Sequence, residues 1–287
     1  MRAPHYITIA VSVSLVAVLY FGGNTIPPIK KQDTAMQRPS GGEQPAAMPN
    51  AVKVASIDSI IKSARTGLSK ASSDTIVALE KQITTIGDSS QMVVLFTRIS
   101  RVWENAKQYP VAAFFTAKAA KLEKSEKKLT FAGQLFLELM EHENSASVQA
   151  WEAREAVSCL EQSLKINPDN EETKLALATA LIEGAGEPMK GVQILLAITK
   201  EKPDDIPANM LLGRMSIQSG QFDKAIGRFE TVLKKEADHK EALYFLSQAY
   251  EGKGDKKKAI EMLEKCKIVV NNPEFSRDID QHINSLK

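Results

Sequence analysis

The sequence predicts an all-α protein, because apolar residues recur at spacings of three and four from residue 54 to the end of the chain. No stretch there shows the apolar and polar alternation that is typical of a half-buried strand. A second observation is an internal repeat, in which a small residue is followed four positions later by a large apolar one. The small residues, at intervals of 35, 34 and 34, are Ala156, Gly191, Ala225 and Ala259. A repeat of this length predicts stacked helix pairs that bury their faces against their neighbours.

The first 23 residues differ from the rest of the chain. Arg2 leads into fifteen residues without a charge, from Ile7 to Phe21, and Tyr6 and Tyr20 flank the apolar stretch. As a helix, residues 6–23 would measure about 27 Å, which is close to a hydrocarbon core of about 30 Å. We therefore predict a transmembrane anchor at residues 1–23, with a cleaved export signal and a buried helix as the alternatives.

Residues 24–53 predict a disordered, Pro/Gly-rich linker, because they lack apolar periodicity. About 30 residues of flexible coil have an r.m.s. reach of roughly 30 Å, so the linker would hold the following domain near the membrane. The basic residues Lys30, Lys31 and Arg38 favour a cytoplasmic domain by the positive-inside rule. A basic start before an apolar segment is instead typical of export, and we favour a single-pass bacterial inner-membrane protein with a periplasmic soluble domain.

The remaining chain predicts a series of helices. In the first, Ile57, Ile60 and Ile61 share a face with Ala64, and Ser73 with its neighbour Asp74 begins the second. These two form a predicted opening helical pair at 54–92. The later units are five repeats at 93–126, 127–170, 171–205, 206–239 and 240–273, followed by a capping helix at 274–287.

The repeat resembles the tetratricopeptide repeat (TPR) family, whose 34-residue unit is a pair of antiparallel helices. In the unit from Ile206, Leu212 and Gly213 match the family's LG pair, and Gly220 matches its turn glycine. The other matches are Ala225 and Phe229; Leu246, Tyr250, Gly254, Ala259 and Leu263; Leu177, Ala178, Leu181, Leu195 and Pro203; and Ile99, Trp103, Tyr109 and Ala112. The resemblance implies an α-solenoid that winds as a right-handed superhelix.

The unit at 127–170 departs from the family pattern by ten extra residues. We place this insertion between its two helices, around the sequence MEHENSASVQAW, where it would form a loop beside Trp151. His142 in this loop has a weak claim to a binding role, and a solvated turn is the stronger interpretation. We expect Trp103, at a repeat core position, to be buried.

The resemblance implies a groove, lined by the first helices, that binds an extended peptide or a helix. Carried over by position, the groove residues are Thr97, Arg101, Glu104, Leu175, Thr179, Ile182, Met210, Arg214, Ile217, Tyr244, Gln248 and Glu251. The lysine and asparagines with which some members of the family grip a terminal carboxylate are missing at these positions. Since the set is apolar with two arginines, we expect a protein or peptide ligand with apolar anchors and some acidic character.

Other classes of site have little support. The 37 basic and 35 acidic residues nearly cancel, which argues against nucleic acid as a partner. Four scattered histidines and two isolated cysteines, Cys159 and Cys266, show no metal-ligand spacing, and we read the cysteines as packing residues. The sequence EGAGEP at 183–188 lies between helices and lacks a phosphate-binding pattern. We expect no metal, no cofactor and no catalytic activity.

The resemblance therefore implies a non-enzymatic scaffold. We predict that it is membrane-tethered and binds proteins or peptides in its groove to assemble or organise a bacterial envelope complex. The alternative is an assembly factor that holds an apoprotein tail, as the TPR modules of cytochrome c maturation do.

Overall fold

The computed structural model describes residues 53–287, and the secondary structure of these residues consists of α-helices without a strand. The predicted all-α class is confirmed for this part of the chain. The predicted anchor at 1–23 and all but the last residue of the predicted linker at 24–53 lie outside the described residues. Among the helices that are described, none combines the length and the apolar character that crossing a membrane requires.

The described residues form thirteen helices joined by short connections. In chain order they are α1 (Ile57–Arg65), α2 (Lys70–Ile83), α3 (Ser89–Asn105), α4 (Tyr109–Glu123), α5 (Glu126–His142), α6 (Ala146–Ile166), α7 (Glu171–Glu183), α8 (Pro188–Glu201), α9 (Ile206–Gln218), α10 (Phe222–Lys235), α11 (Lys240–Lys253), α12 (Lys256–Val270) and α13 (Pro273–Leu286).

Residues 53–269 lie within one compact unit, whose helices pack mainly on their neighbours in sequence. The helices of the pairs α3–α4, α5–α6, α7–α8 and α9–α10 pack on each other, and each second helix packs on the first helix of the next pair. The successive first helices α5, α7, α9 and α11 are also in contact. Contacts that are this local along the chain are those of a helical solenoid.

The first helix of each of the five pairs begins at a side-chain cap. The capping atom accepts a hydrogen bond from the backbone N–H three residues later, which satisfies a group that the helix itself leaves free. The capping residues are Asp88, Ser125, Asn170, Asp205 and His239. Each pair therefore starts at a point that its own local sequence specifies.

Glycines set the approach of the two helices within a pair. An ideal Cβ on Gly213 would lie 2.5 Å from Cζ of Phe229, and one on Gly133 would lie 2.5 Å from Cγ of Leu160. Phe229 and Leu160 are fully buried, so their side chains have no free space into which to move. After α9, Gly220 adopts a φ of +70°, which confirms the left-handed turn predicted there.

The α1 and α2 helices precede the repeats. The α1 helix packs on α4 and α2 packs on α3, and the Arg65 guanidinium donates to both carboxylate oxygens of Glu80 at 2.7 Å, which joins the two helices. Arg65 also lies 6.0 Å above the ring of Trp103, which is fully buried as predicted. The second of these helices begins at Lys70, three residues before the predicted Ser73, because Ser69 caps it.

The predicted loop at residues 140–151 was wrong. The α5 helix continues to His142 and α6 begins at Ala146, so the extra residues extend the helices to 17 and 21 residues. These residues form helix rather than loop because the segment that ends at Trp151 is amphipathic. Trp151 is buried, and its ring lies 5.5 Å from that of Phe136 and 6.4 Å from that of Phe114.

Residues 270–287 belong to a second compact unit. The helix α13 begins at Asn272, whose side chain accepts hydrogen bonds from the backbone N–H groups of Glu274 and Phe275. Its buried residues, Ile279, Ile283 and Leu286, share one face. The capping role of residues 274–287 stays a prediction.

A carboxyl group lies in the core of the first unit. Glu152 in α6 is fully buried, and neither of its oxygens has a hydrogen-bond partner among the described residues. Burial disfavours the ionised form and the Glu143 carboxylate adds to this effect, so the pKa of Glu152 rises from 4.5 to about 8. The folded protein therefore holds this side chain protonated at neutral pH.

We expect Gly213→Ala to destabilise the protein and Gly227→Ala to stabilise it. The new methyl group at 213 would collide with the Phe229 ring, at a cost of about 1–3 kcal/mol. At Gly227 an ideal Cβ meets no atom within 4 Å, so alanine should add about 0.5–1 kcal/mol through its higher helix propensity. Thermal unfolding of the two variants measures the difference. A lower melting temperature for Gly227→Ala than for Gly213→Ala would contradict the helix register.

We expect Glu152→Gln to stabilise the protein at neutral pH but not at acidic pH. In the unfolded chain the carboxyl ionises near 4.5, whereas the folded chain keeps its proton up to about 8. Glu152 therefore lowers the free energy of unfolding progressively as the pH rises between these two values. Glutamine does not ionise, so the gain should be on the order of 2–3 kcal/mol at about pH 7 and vanish near pH 4 in denaturant titrations. An equal gain at both pH values would refute the raised pKa.

Candidate functional site

The candidate site is the surface formed by the first helices α5, α7, α9 and α11, which we call the first-helix face. The glycine contacts place α5 and α9 in the same register, because Gly133 lies against Leu160 as Gly213 lies against Phe229. Side chains at equivalent positions of these helices therefore lie beside one another on the face. Side chains three or four residues apart on one helix follow one another along that helix.

A depression of about 290 Å³ lies on this face between α7 and α9. Ile182 and Leu211 contribute apolar walls, and Met215 adds a flexible thioether. The polar lining consists of Glu183, Arg214 and Gln218. Polar atoms make up most of the exposed lining of this depression, so a side chain that enters it would contact both apolar and charged groups.

Arg214 connects three repeats at the edge of this depression. Its Nη1 atom lies 3.1 Å from Oε1 of Glu183 in α7, and its guanidinium lies 5.6 Å above the ring of Phe245 in α11. Phe245 in turn stacks on Phe229, with the ring centroids 5.9 Å apart. The Arg214 charge is thus already engaged by a carboxylate and an aromatic ring.

Glu141 of α5 interacts with the charges of this arginine and of two other glutamates. Burial raises the pKa of Glu141 in α5, the negative charges of Glu183 and Glu138 raise it further, and the positive charge of Arg214 opposes them. Glu138 is exposed. The charges of α5, α7 and α9 thus act together on the Glu141 carboxyl group.

The structure places the twelve predicted groove residues in different environments. Leu175, Thr179, Ile182, Arg214, Ile217, Tyr244 and Gln248 are half-buried, and Glu251 is exposed, all on the first helices of the contiguous series. Met210 is buried at 7% exposure and belongs to the core. Thr97, Arg101 and Glu104 are exposed on α3. Within the described residues, extensive packing between successive first helices begins only at α5, so these three belong to a separate helix surface.

The sequence prediction missed the residues that α5 contributes. Phe131 is 58% exposed, and Glu138 lies two turns further along the same helix. Leu211, in the equivalent position of α9 to Phe131, was also missed. The sequence feature that could have identified these residues is Gly133, because its match to Gly213 aligns α5 with the other first helices. This match was overlooked because the ten extra residues of the unit were assigned to the wrong place.

Other candidate sites have structural explanations. Both cysteines are buried, and burial raises the pKa of each thiol to about 11, in agreement with the predicted packing role. In the sequence EGAGEP, a Cβ on Gly184 would collide with Ala153, so close packing accounts for this glycine. Among residues 53–287, no group of three or more potential metal ligands comes together.

Comparison with known proteins identifies the repeat. Residues 148–215 and 216–274 match the family model described as Tetratricopeptide repeat. Comparison with curated protein sequences yields no match. Among solved structures, the chain is similar to MamA 41-end from Desulfovibrio magneticus RS-1, with a TM-score of 0.50 and 18% identity over 63% of this chain and 96% of that one. At this identity the similarity shows the fold alone.

Two further structures are similar at lower TM-scores. YrrB, described as a TPR protein with an unusual peptide-binding site, has a TM-score of 0.47 and 19% identity over 71% of this chain and 98% of that chain. PilW, described as a widely conserved type IV pilus biogenesis factor, has a TM-score of 0.46 and 16% identity over 68% of this chain and 93% of that chain.

We expect Arg214→Met to raise the pKa of Glu141 further, because the positive charge that opposes the rise is removed. Carbon-13 NMR titration of the glutamate carboxyl groups measures this change. Lys265→Met is the matched control, since Lys265 pairs with Glu261 on α12 and not with the first-helix face. An unchanged Glu141 titration in Arg214→Met would show that the two side chains do not interact.

Proposed function

Residues 148–274 of this chain are tetratricopeptide repeats, and on this premise we propose that the protein is a non-enzymatic scaffold that binds a protein or peptide on its first-helix face. The observation that carries the proposal is the depression on that face, whose lining combines apolar side chains with an arginine, a glutamate and a glutamine. A repeat stack of this kind provides an extended surface rather than an enclosed cavity, which suits a polypeptide ligand.

Three aromatic side chains on the same face, of which Phe131 is exposed and Tyr244 and Phe245 are half-buried, support the proposal. Phe131 is a large ring with more than half of its surface in contact with solvent, and Tyr244 and Phe245 lie in the corresponding region of α11 with their rings 5.8 Å apart. Aromatic side chains are enriched among the residues that contribute most to protein–protein binding. The face thus offers apolar anchors at both ends of the series of first helices.

We further propose a membrane tether. The support is the uncharged stretch of residues 6–23, preceded by Arg2, which as a helix would measure about 27 Å, close to a hydrocarbon core of about 30 Å. The following residues up to Lys53 would then place the repeats near the membrane surface. On this basis the protein is a single-pass inner-membrane protein of a bacterium, with the repeats in the periplasm, where it assembles or organises an envelope complex.

We expect a photo-crosslinking residue at position 131 to capture a specific protein in intact cells, and the same residue at position 193 to capture none. Gln193 is an exposed residue of α8, a second helix, and is therefore the matched control. Mass spectrometry of the crosslinked products identifies the captured protein. Identical products from the two positions would remove the support for the first-helix face.

We expect Phe131→Ala to weaken binding of the protein captured at that face by about tenfold, which corresponds to the loss of roughly 1.4 kcal/mol of apolar burial. Leu196→Ala, at an exposed position of α8, should leave the affinity unchanged. Equal losses in the two variants, measured by fluorescence anisotropy with the purified partner, would count against the proposed binding face.

A further inference from the structure

The first-helix face has an excess of negative charge beside its depression. Glu138 and Glu141 form no ion pair with any described residue, whereas Arg214 is already paired with Glu183. The charged groups that act on Glu141 are Glu183 and Glu138, which raise its pKa, and His142 and Arg214, which lower it. The three carboxylates therefore outnumber Arg214, which is paired with Glu183, and neither Glu138 nor Glu141 has an ion-pair partner among residues 53–287.

The depression lies close to these carboxylates, because Glu138 occupies the position of α5 that corresponds to Gln218 of α9 in its lining, and α5 packs on α7. Glu183 and Arg214 line the depression together with Ile182, Leu211 and Met215, and the Glu183 charge is the largest electrostatic influence on Glu141. A ligand side chain in the depression would thus bring its neighbours close to Glu138 and Glu141. An anionic ligand would meet repulsion there, and a cationic one would be attracted.

Resting on the proposed function, we propose that the partner of the first-helix face is a cationic, amphipathic polypeptide segment. An aliphatic side chain of the segment occupies the depression, and a lysine or arginine beside it pairs with Glu138 and Glu141. This reverses the acidic character that the sequence predicts for the ligand from Arg101 and Arg214. Arg101 lies on the separate surface of α3, and Arg214 is already bound by Glu183 and Phe245.

The experiment uses the full chain in nonionic detergent and three fluorescent peptides of about 14 residues and equal length. One peptide combines leucine with lysine, the second replaces the lysines by glutamates, and the third replaces the leucines by serines. We expect the leucine–lysine peptide to bind at least about tenfold more tightly than either of the others at about 50 mM salt. Anisotropy in empty micelles is subtracted, because an amphipathic peptide also binds detergent.

Charge-removal variants identify where the cation binds. The double variant Glu138→Gln/Glu141→Gln should weaken binding of the leucine–lysine peptide by about tenfold. The control Glu161→Gln/Glu236→Gln changes the net charge equally at exposed positions outside the first helices, and should change the affinity less than about twofold. A similar loss in both double variants would overturn the proposal in favour of non-specific attraction.

The outcomes distinguish a failure of the cationic-partner proposal from a failure of the proposed binding function. If the lysine and glutamate peptides bind equally and Phe131→Ala weakens both, the cationic partner is refuted while the proposed function stands. If the leucine–lysine peptide does not bind, the cationic segment is also refuted. Crosslinking at position 131 then decides the proposed function independently, because it captures a cellular protein whatever its charge.

Discussion

In two of the helix pairs, the contact between a large side chain of the second helix and a glycine of the first helix is the constraint on which the rest of the structure depends. Phe229 lies on Gly213, and Leu160 lies on Gly133. The distance between the helices of a pair follows from these contacts, because the ring or the isobutyl group fills the space that a Cβ would need. The orientation of each first helix then determines which of its side chains remain at the surface. The first-helix face is thus a consequence of packing on the opposite side of the same helices.

The proposed binding face would combine two kinds of interaction that act over different distances. The depression would select a side chain by shape at contact, whereas the carboxylates of α5 would act across several ångströms and be screened by salt. A segment with apolar and cationic residues satisfies both conditions at once. In such an arrangement charge favours encounter and orientation, and apolar burial supplies most of the affinity.

The features that could be predicted from the sequence are those that depend on local or repeated patterns. Helix type, the burial of Trp103 and the turn at Gly220 all follow from neighbouring residues and from the 34-residue period. The extra residues of 127–170 were misplaced because they extend helices, so the interruption that a loop would show is missing from the sequence. The charge of the face could not be predicted from the sequence, because it depends on Glu141, Glu183 and Arg214, which belong to three helices and come together only through tertiary packing.

Arg214 also has a consequence for how the repeats melt. In a simple solenoid each repeat interacts only with its nearest neighbours, so unfolding of the last repeat directly destabilises only the repeat before it. A single guanidinium here holds Glu183 of α7 and Phe245 of α11 together. Fraying of α11 removes the ring that restrains the guanidinium and thereby loosens its contact with α7. Arg214 therefore adds to the coupling of each of these two repeats with the repeat of α9, and since one of its contacts is ionic, that contribution weakens as salt is added.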